Sequence, residues 1–152
     1  MGLDMYLYKK NYIWQGDWIK PETKQEVVVT KGGEVDTKIK PERVKYVVEE
    51  VGYWRKANQI HKWFVDVVQE GNDNCGSYYV SRDTLEELLD ICKQIRDDHS
   101  KADKLLPTQS GFFYGGTEYD EWYFNDIDNT IKIIEECLED ESADDFEYNA
   151  SW

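Results

Sequence analysis

The spacing of apolar residues changes period once along this chain, and that change limits the folds open to it. Over residues 3–8 the pattern alternates, with Leu3, Met5 and Leu7 on one side and Asp4, Tyr6 and Tyr8 on the other. That is the period of a half-buried strand. Residues 25–30 are rich in β-branched valine, Lys31-Gly32-Gly33 can supply the positive φ of a hairpin turn, and residues 34–39 would return the chain. Residues 43–51, with Val44, Tyr46 and Val48 alternating, read as a further strand or a short helix.

Beyond residue 53 the period lengthens. A helix over residues 54–69 would carry Tyr53, Ala57, Ile60, Phe64, Val67 and Val68 on one face, and Glu70-Gly71-Asn72 would end it. Residues 77–80 form a short strand candidate. Ser81 or Asp83 can cap the next helix, with Glu86 placed to complete a capping box with Asp83. Leu85, Leu88, Leu89, Cys92 and Ile95 make its buried stripe. After a glycine-rich loop over residues 105–117, a third helix runs from Tyr119 or Asp120 to Leu138, burying Tyr123, Ile127, Ile131, Ile134 and Leu138.

Strands first and helices after predict an α+β fold. An antiparallel sheet from the N-terminal third would carry about three helices packed on one face. One domain over residues 1–140 is expected, followed by an acidic, flexible tail over 141–152. A hydrophobic fraction of 40% that includes 14% aromatic residues suits a packed core rather than a disordered chain.

Charge is distributed unevenly. Residues 1–62 hold twelve basic and nine acidic groups, whereas residues 63–152 hold six basic and 23 acidic ones. The second half would repel phosphate backbones and anionic lipid. No apolar run reaches the ~20 residues of a membrane helix. The opening MGLDMYLYKK lacks the basic start and apolar stretch of a signal peptide, and Tyr6 stands where myristoylation wants Ser or Thr. Cys75, Cys92 and Cys137 are odd in number and far apart, as expected of reduced thiols in the cytoplasm.

Three segments carry groups that bear on function. The first, YWRKANQIHKWF, would set Trp54, Asn58 and His61 on one flank of a helix, with His61 half-buried. The second, LPTQSGFFYGGTEYDEWY, offers the neutral groups of Gln109 and Ser110, the ring of Tyr119, and Asp120 at a helix start. Together they outline a ligand pocket between the first helix and the loop, lined by Trp54, Arg55, Asn58, His61, Gln109, Ser110, Tyr119 and Asp120. There Arg55 would neutralise a ligand anion, His61 would move a proton, and Tyr119 or Trp54 would stack. The third is the acidic region. Thirteen acidic residues and only Lys132 on the basic side lie between Glu118 and Glu147. Glu121, Asp128, Glu135 and Glu139 fall on the outer side of the third helix, as a surface for a basic partner.

Other chemistries find less support. Asp97, His99 and Asp103 lack Cys-x-x-Cys or His-x-x-x-His company, so no metal is expected, and no cofactor is implied. There is no Gly-x-Ser-x-Gly elbow and no His-Glu-x-x-His. Lys9, Lys10, Trp14, Trp18, Lys20 and Lys24 interleave aromatics with lysines as nucleic-acid binders do, but the net charge of −14 opposes that use.

The opening GLDMYLYK, the segment YWRKANQIHKWFV, and YYVSRDTLEELL followed by LLPTQSGFFYGGTEYDEWY resemble a family of small uncharacterised acidic proteins encoded by bacteriophages and bacterial mobile elements. The resemblance spans most of residues 1–135 and leaves out the hairpin around Gly32 and the acidic end. It implies a context, an accessory protein in the cytoplasm of a bacterial host, and no catalytic or binding residue. The leading expectation is therefore a non-enzymatic binding protein that engages a basic bacterial partner, such as a host defence factor, through the acidic helix. The alternative is a protein that binds or sequesters a small, nucleotide-like ligand in the pocket, or a small enzyme built there.

Overall fold

The computed structural model describes residues 2–152. Its strands and helices, in chain order, are β1 (Asp4–Tyr12), β2 (Thr30–Lys31), β3 (Glu34–Val35), β4 (Tyr46–Arg55), α1 (Asn58–Val67), β5 (Ser77–Val80), α2 (Arg82–Asp97), the single turn α3 (Ala102–Leu105), α4 (Glu121–Leu138) and β6 (Phe146–Ser151). The fold is α+β, with a four-stranded antiparallel sheet in the order β4-β1-β6-β5. The chain divides into two compact units, residues 2–9 with 50–152, and Lys10–Glu49.

In the larger unit the alternation read at the start of the chain places Leu3, Met5 and Leu7 wholly inside. Register carries that face across the sheet. Met5 pairs with Ala150 and Leu7 with Tyr148, and Tyr148 pairs onward with Tyr78, so buried side chains line up on one side. On the same side Phe64 of α1 stacks on Tyr148 with ring centroids 4.0 Å apart. Tyr6, Tyr53 and Tyr79 lie on the opposite, more exposed side. α2 packs against α4. Leu85, Leu88, Cys92 and Ile95 are fully buried as the stripe predicted, and Ile127, Ile131 and Ile134 line the inner face of α4. Ser81 caps α2 by accepting from Thr84 N–H, and Asp120 caps α4 by accepting from Tyr123 N–H. Glu86 pairs with Arg82 instead of closing a box with Asp83.

In the smaller unit the hairpin forms around Gly32 and Gly33, with φ of 61° and 88°, but only β2 and β3 pair. The valine run before Thr30 remains irregular. Two 3-10 turns open with Pro21 and Pro41, where a missing N–H costs nothing.

Two expectations are corrected. Residues 54–57 are not helical. Trp54 and Arg55 end β4, Lys56 takes a φ of 56°, and α1 starts at Asn58. The β-branched and aromatic run before Lys56 favours a strand. Trp54 then fills the core at 2% exposure, while Tyr53 points outward. The expected flexible tail instead supplies β6, seated between β1 and β5. Phe146, Tyr148 and Ala150 alternate inward, and the preceding acidic run obscured that period.

Gly52 shows how tightly the sheet meets α4. A Cβ there would lie 2.7 Å from Ile133 Cγ2. Gly52→Ala is expected to destabilise the fold by about 1–3 kcal/mol through overpacking, measurable as a lower urea midpoint at unchanged m-value.

Candidate functional site

The end of β4, the start of α1, the glycine-rich loop and the first turns of α4 line a partly open cavity of about 560 Å³. The lining includes Arg55, Lys56, Asn58, Gln59, Glu118 and Asp120, with Trp122, Asn125, Asp126 and Asn129 along α4. The loop has no regular structure of its own, so its shape depends on side chains that tie it down. Asn58, 2% exposed, does most of this. Its Nδ2 donates to Tyr114 O at 2.9 Å and Gly116 O at 2.8 Å, and its Oδ1 accepts from Gln109 N–H at 2.9 Å. Tyr123 holds the other end of the loop by donating its hydroxyl to Leu106 O at 2.8 Å.

Gln59 Nε2 donates to Tyr123 O at 3.3 Å. Burial pushes the Asp126 carboxyl up to about 6, and the nearby Asp120 charge adds to the rise, against the opposing pull of Gln59. Arg55 donates to Asp4 Oδ1 at 3.1 Å, and Tyr53 donates its hydroxyl to the same oxygen at 2.6 Å. Among the described residues, no three His, Cys, Asp or Glu side chains converge closely enough to hold a metal ion. The cavity carboxylates are thus spread around its wall.

Arg55, Asn58 and Asp120, three of the eight pocket residues expected from sequence, line this cavity. The other five do not. Trp54 is sealed in the core, where its Nε1 donates to Thr130 Oγ1 at 2.9 Å, so it has no face to offer a ligand. Gln109 contributes its backbone N–H to Asn58, and Ser110 is exposed. The Tyr119 hydroxyl accepts from Thr108 N–H at 3.3 Å. His61 is fully buried rather than half-buried, within a separate cluster.

In that cluster burial holds His61 below its ordinary pKa despite Asp73 beside it, so the ring is neutral near pH 7. Neutral His61 donates from Nε2 to Asp73 Oδ1 at 2.9 Å and accepts at Nδ1 from the Tyr148 hydroxyl at 2.7 Å. The Tyr114 hydroxyl donates to Asp73 Oδ2, and Trp152 Nε1 donates to Oδ1 at 3.0 Å. Every polar atom of the imidazole is occupied, and the ring does not line the cavity.

Sequence reasoning missed Gln59, Asn125, Asp126 and Asn129. A signal was available: residues 122, 125, 126 and 129 recur at helical spacing on α4, polar or exposed where a core stripe would be apolar. On the acidic side of α4, Glu121, Asp128 and Glu139 are exposed, and Glu135 pairs with Lys93 at 3.1 Å. Lys9, considered for nucleic acid, is held by Asp140 at 3.0 Å. Among the described residues, no helix is long and apolar enough to cross a membrane. The chain matches no known family model, no curated protein and no solved structure.

The raised Asp126 pKa makes a stability prediction. Native protein holds this proton up to about pH 6, whereas the unfolded carboxyl releases it near 3.8. Stability therefore falls as pH rises through that window and stays lower above it. Asp126→Asn should leave stability nearly unchanged at about pH 4 and raise it by roughly 1–3 kcal/mol at about pH 8. Urea unfolding at both pH values checks the difference.

Proposed function

We propose that this protein is a non-enzymatic small-ligand-binding protein, with its ligand seated in the cavity between the start of α1, the glycine-rich loop and α4. The observation that carries this reading is the cleft and the loop fixed beside it. A loop without regular structure is pinned over the cavity by buried Asn58, and the wall carries polar groups that core packing does not require. Clefts of roughly 300–1,000 Å³ with a few convergent polar groups are the usual form of small-molecule sites. His61 is fully buried and does not line this wall, which favours binding over proton-transfer chemistry by that histidine. In a phage-type accessory protein, sequestering a small molecule of the host cell is a use for such a site.

A thermal-shift screen of metabolites tests it. A ligand present at a hundredfold excess over its Kd should raise Tm by roughly 5–10 °C. Asn129→Tyr, at an exposed position that narrows the cavity, should abolish that shift without lowering the Tm of the free protein. Silence across a broad panel counts against the reading.

A second reading rests on α4. Among the described residues, Glu121, Asp128 and Glu139 are exposed and make no ion pair. They suit a basic protein surface, which in a bacterial host includes defence factors. Charge reversal at these three positions should weaken capture of a basic partner from bacterial lysate and flatten its salt dependence. Unchanged capture would remove this reading.

A further inference from the structure

The charges of the cavity are not balanced in the way their number suggests. Its lining includes Arg55 and Lys56 against Glu118, Asp120 and Asp126. Arg55 is already committed to Asp4 at 3.1 Å, with the Tyr53 hydroxyl on the same carboxylate. Lys56 runs along the loop backbone towards the chain start. A Cβ on Gly115 would meet its Cβ at 3.3 Å, and a Cβ on Gly2 would meet its Cε at 3.1 Å. The Arg55 guanidinium gathers at Gly2 as well, 3.3 Å from that same built position. The Lys56 Cε and the Arg55 guanidinium thus lie beside Gly2, although both residues also line the cavity. The carboxylates come from the loop and α4.

The rest of the wall fits the same charge. Trp122 is 72% exposed although it lines the cavity, so its ring is free to cover a bound cation. Asn125 and Asn129 are exposed on α4 and have carbonyl oxygens to accept from N–H donors. Because the acidic groups do not converge on one point, they suit an extended organic cation with several N–H donors better than a metal ion.

We infer that the cavity binds a small organic cation carrying a primary ammonium or guanidinium group, held by Asp126 and Asp120 and covered by Trp122. This inference rests on the ligand-binding reading of the cavity and names its ligand class. Asp126 must be ionised to bind such a cation, and it shares the cavity with charged Asp120 and Glu118 from the loop end and with Arg55 and Lys56 from the end of β4. α1 contributes only neutral Asn58 and Gln59 there. A cation would supply the counter-charge that Asp126 lacks, so affinity should rise with pH through the range in which this group titrates.

The test is a 15N-HSQC titration of the full chain with agmatine and with spermidine, alongside AMP and citrate as anionic probes. Agmatine or spermidine should shift the amides of Asn125, Asp126 and Asn129 and the indole N–H of Trp122. Binding should be about tenfold weaker at about pH 5 than at about pH 8, where Asp126 is ionised. Asp126→Asn should remove the response while its other amides keep native positions, and Trp122→Ala, at an exposed site, should weaken it several-fold. If AMP or citrate shifts these amides and the cations do not, the inference is overturned while the cavity remains a ligand site. If no probe shifts them, both the inference and the ligand-binding reading fail.

Discussion

The larger unit depends on how one tyrosine is buried. Tyr148 sits on β6, the strand between β1 and β5, and is wholly enclosed. Its ring stacks on Phe64 of α1, and its hydroxyl donates to His61 one turn earlier on the same helix. A buried hydroxyl without a partner costs about 1–3 kcal/mol, so the ring can enter the core only if an acceptor enters with it. Neutral His61 is that acceptor, and it stays neutral because burial outweighs the pull of Asp73. Asp73 in turn collects donors from Tyr114 of the loop and from Trp152 beyond β6. One satisfied network thus joins the central strand, the first helix and the glycine-rich loop. The loop that covers the cavity is held from two sides, by Asp73 through Tyr114 and by Asn58 through the backbone.

How much of this was legible in the sequence follows from where each signal comes from. The strand at Leu3, Met5 and Leu7, the α2 stripe and the span of α4 rest on local period, and all three are as expected. The errors fall where local signals conflict. Residues 53–57 carry apolar groups at spacings that suit either a helix or a strand, and the sheet decides between them. With Trp54 on the strand, its indole reaches Thr130 on α4, whereas a helix starting there would have lost the β4 edge. In β6 the alternation is present in the sequence, but its pairing partners lie at the other end of the chain and across β5. Only long-range pairing reveals that such a short segment is central rather than terminal.

The site was legible in its location and not in its chemistry. The meeting of α1 with the glycine-rich loop was expected, and Asn58 joins them through both ends of its amide. What the sequence hid is which side of each residue the fold would use. Histidine and tryptophan are the groups that pattern reasoning reaches for first, yet His61 and Trp54 are absorbed by the core. The wall is built instead by α4 residues that look like ordinary solvent-facing positions. Asn125 and Asn129 carry no motif, and Asp126 differs from its acidic neighbours only through its depth.

Depth is also what makes Asp126 costly. An acid that keeps its proton up to about 6 is one whose charge the fold does not compensate. A cation was available to do so, since Arg55 also lines the cavity, yet Arg55 is turned to Asp4. Asparagine would fill nearly the same volume without the penalty. The cavity wall therefore holds a half-buried carboxyl that feels the charge of Asp120, with a loop fixed by buried hydrogen bonds and an exposed indole also on that wall. Such a group lowers the stability of the empty protein above its pKa, and that loss is recovered when a positive charge enters. Burial is the main reason the Asp126 pKa is raised, and the Asp120 charge adds to it, so an anion placed between these two carboxylates would meet like charge.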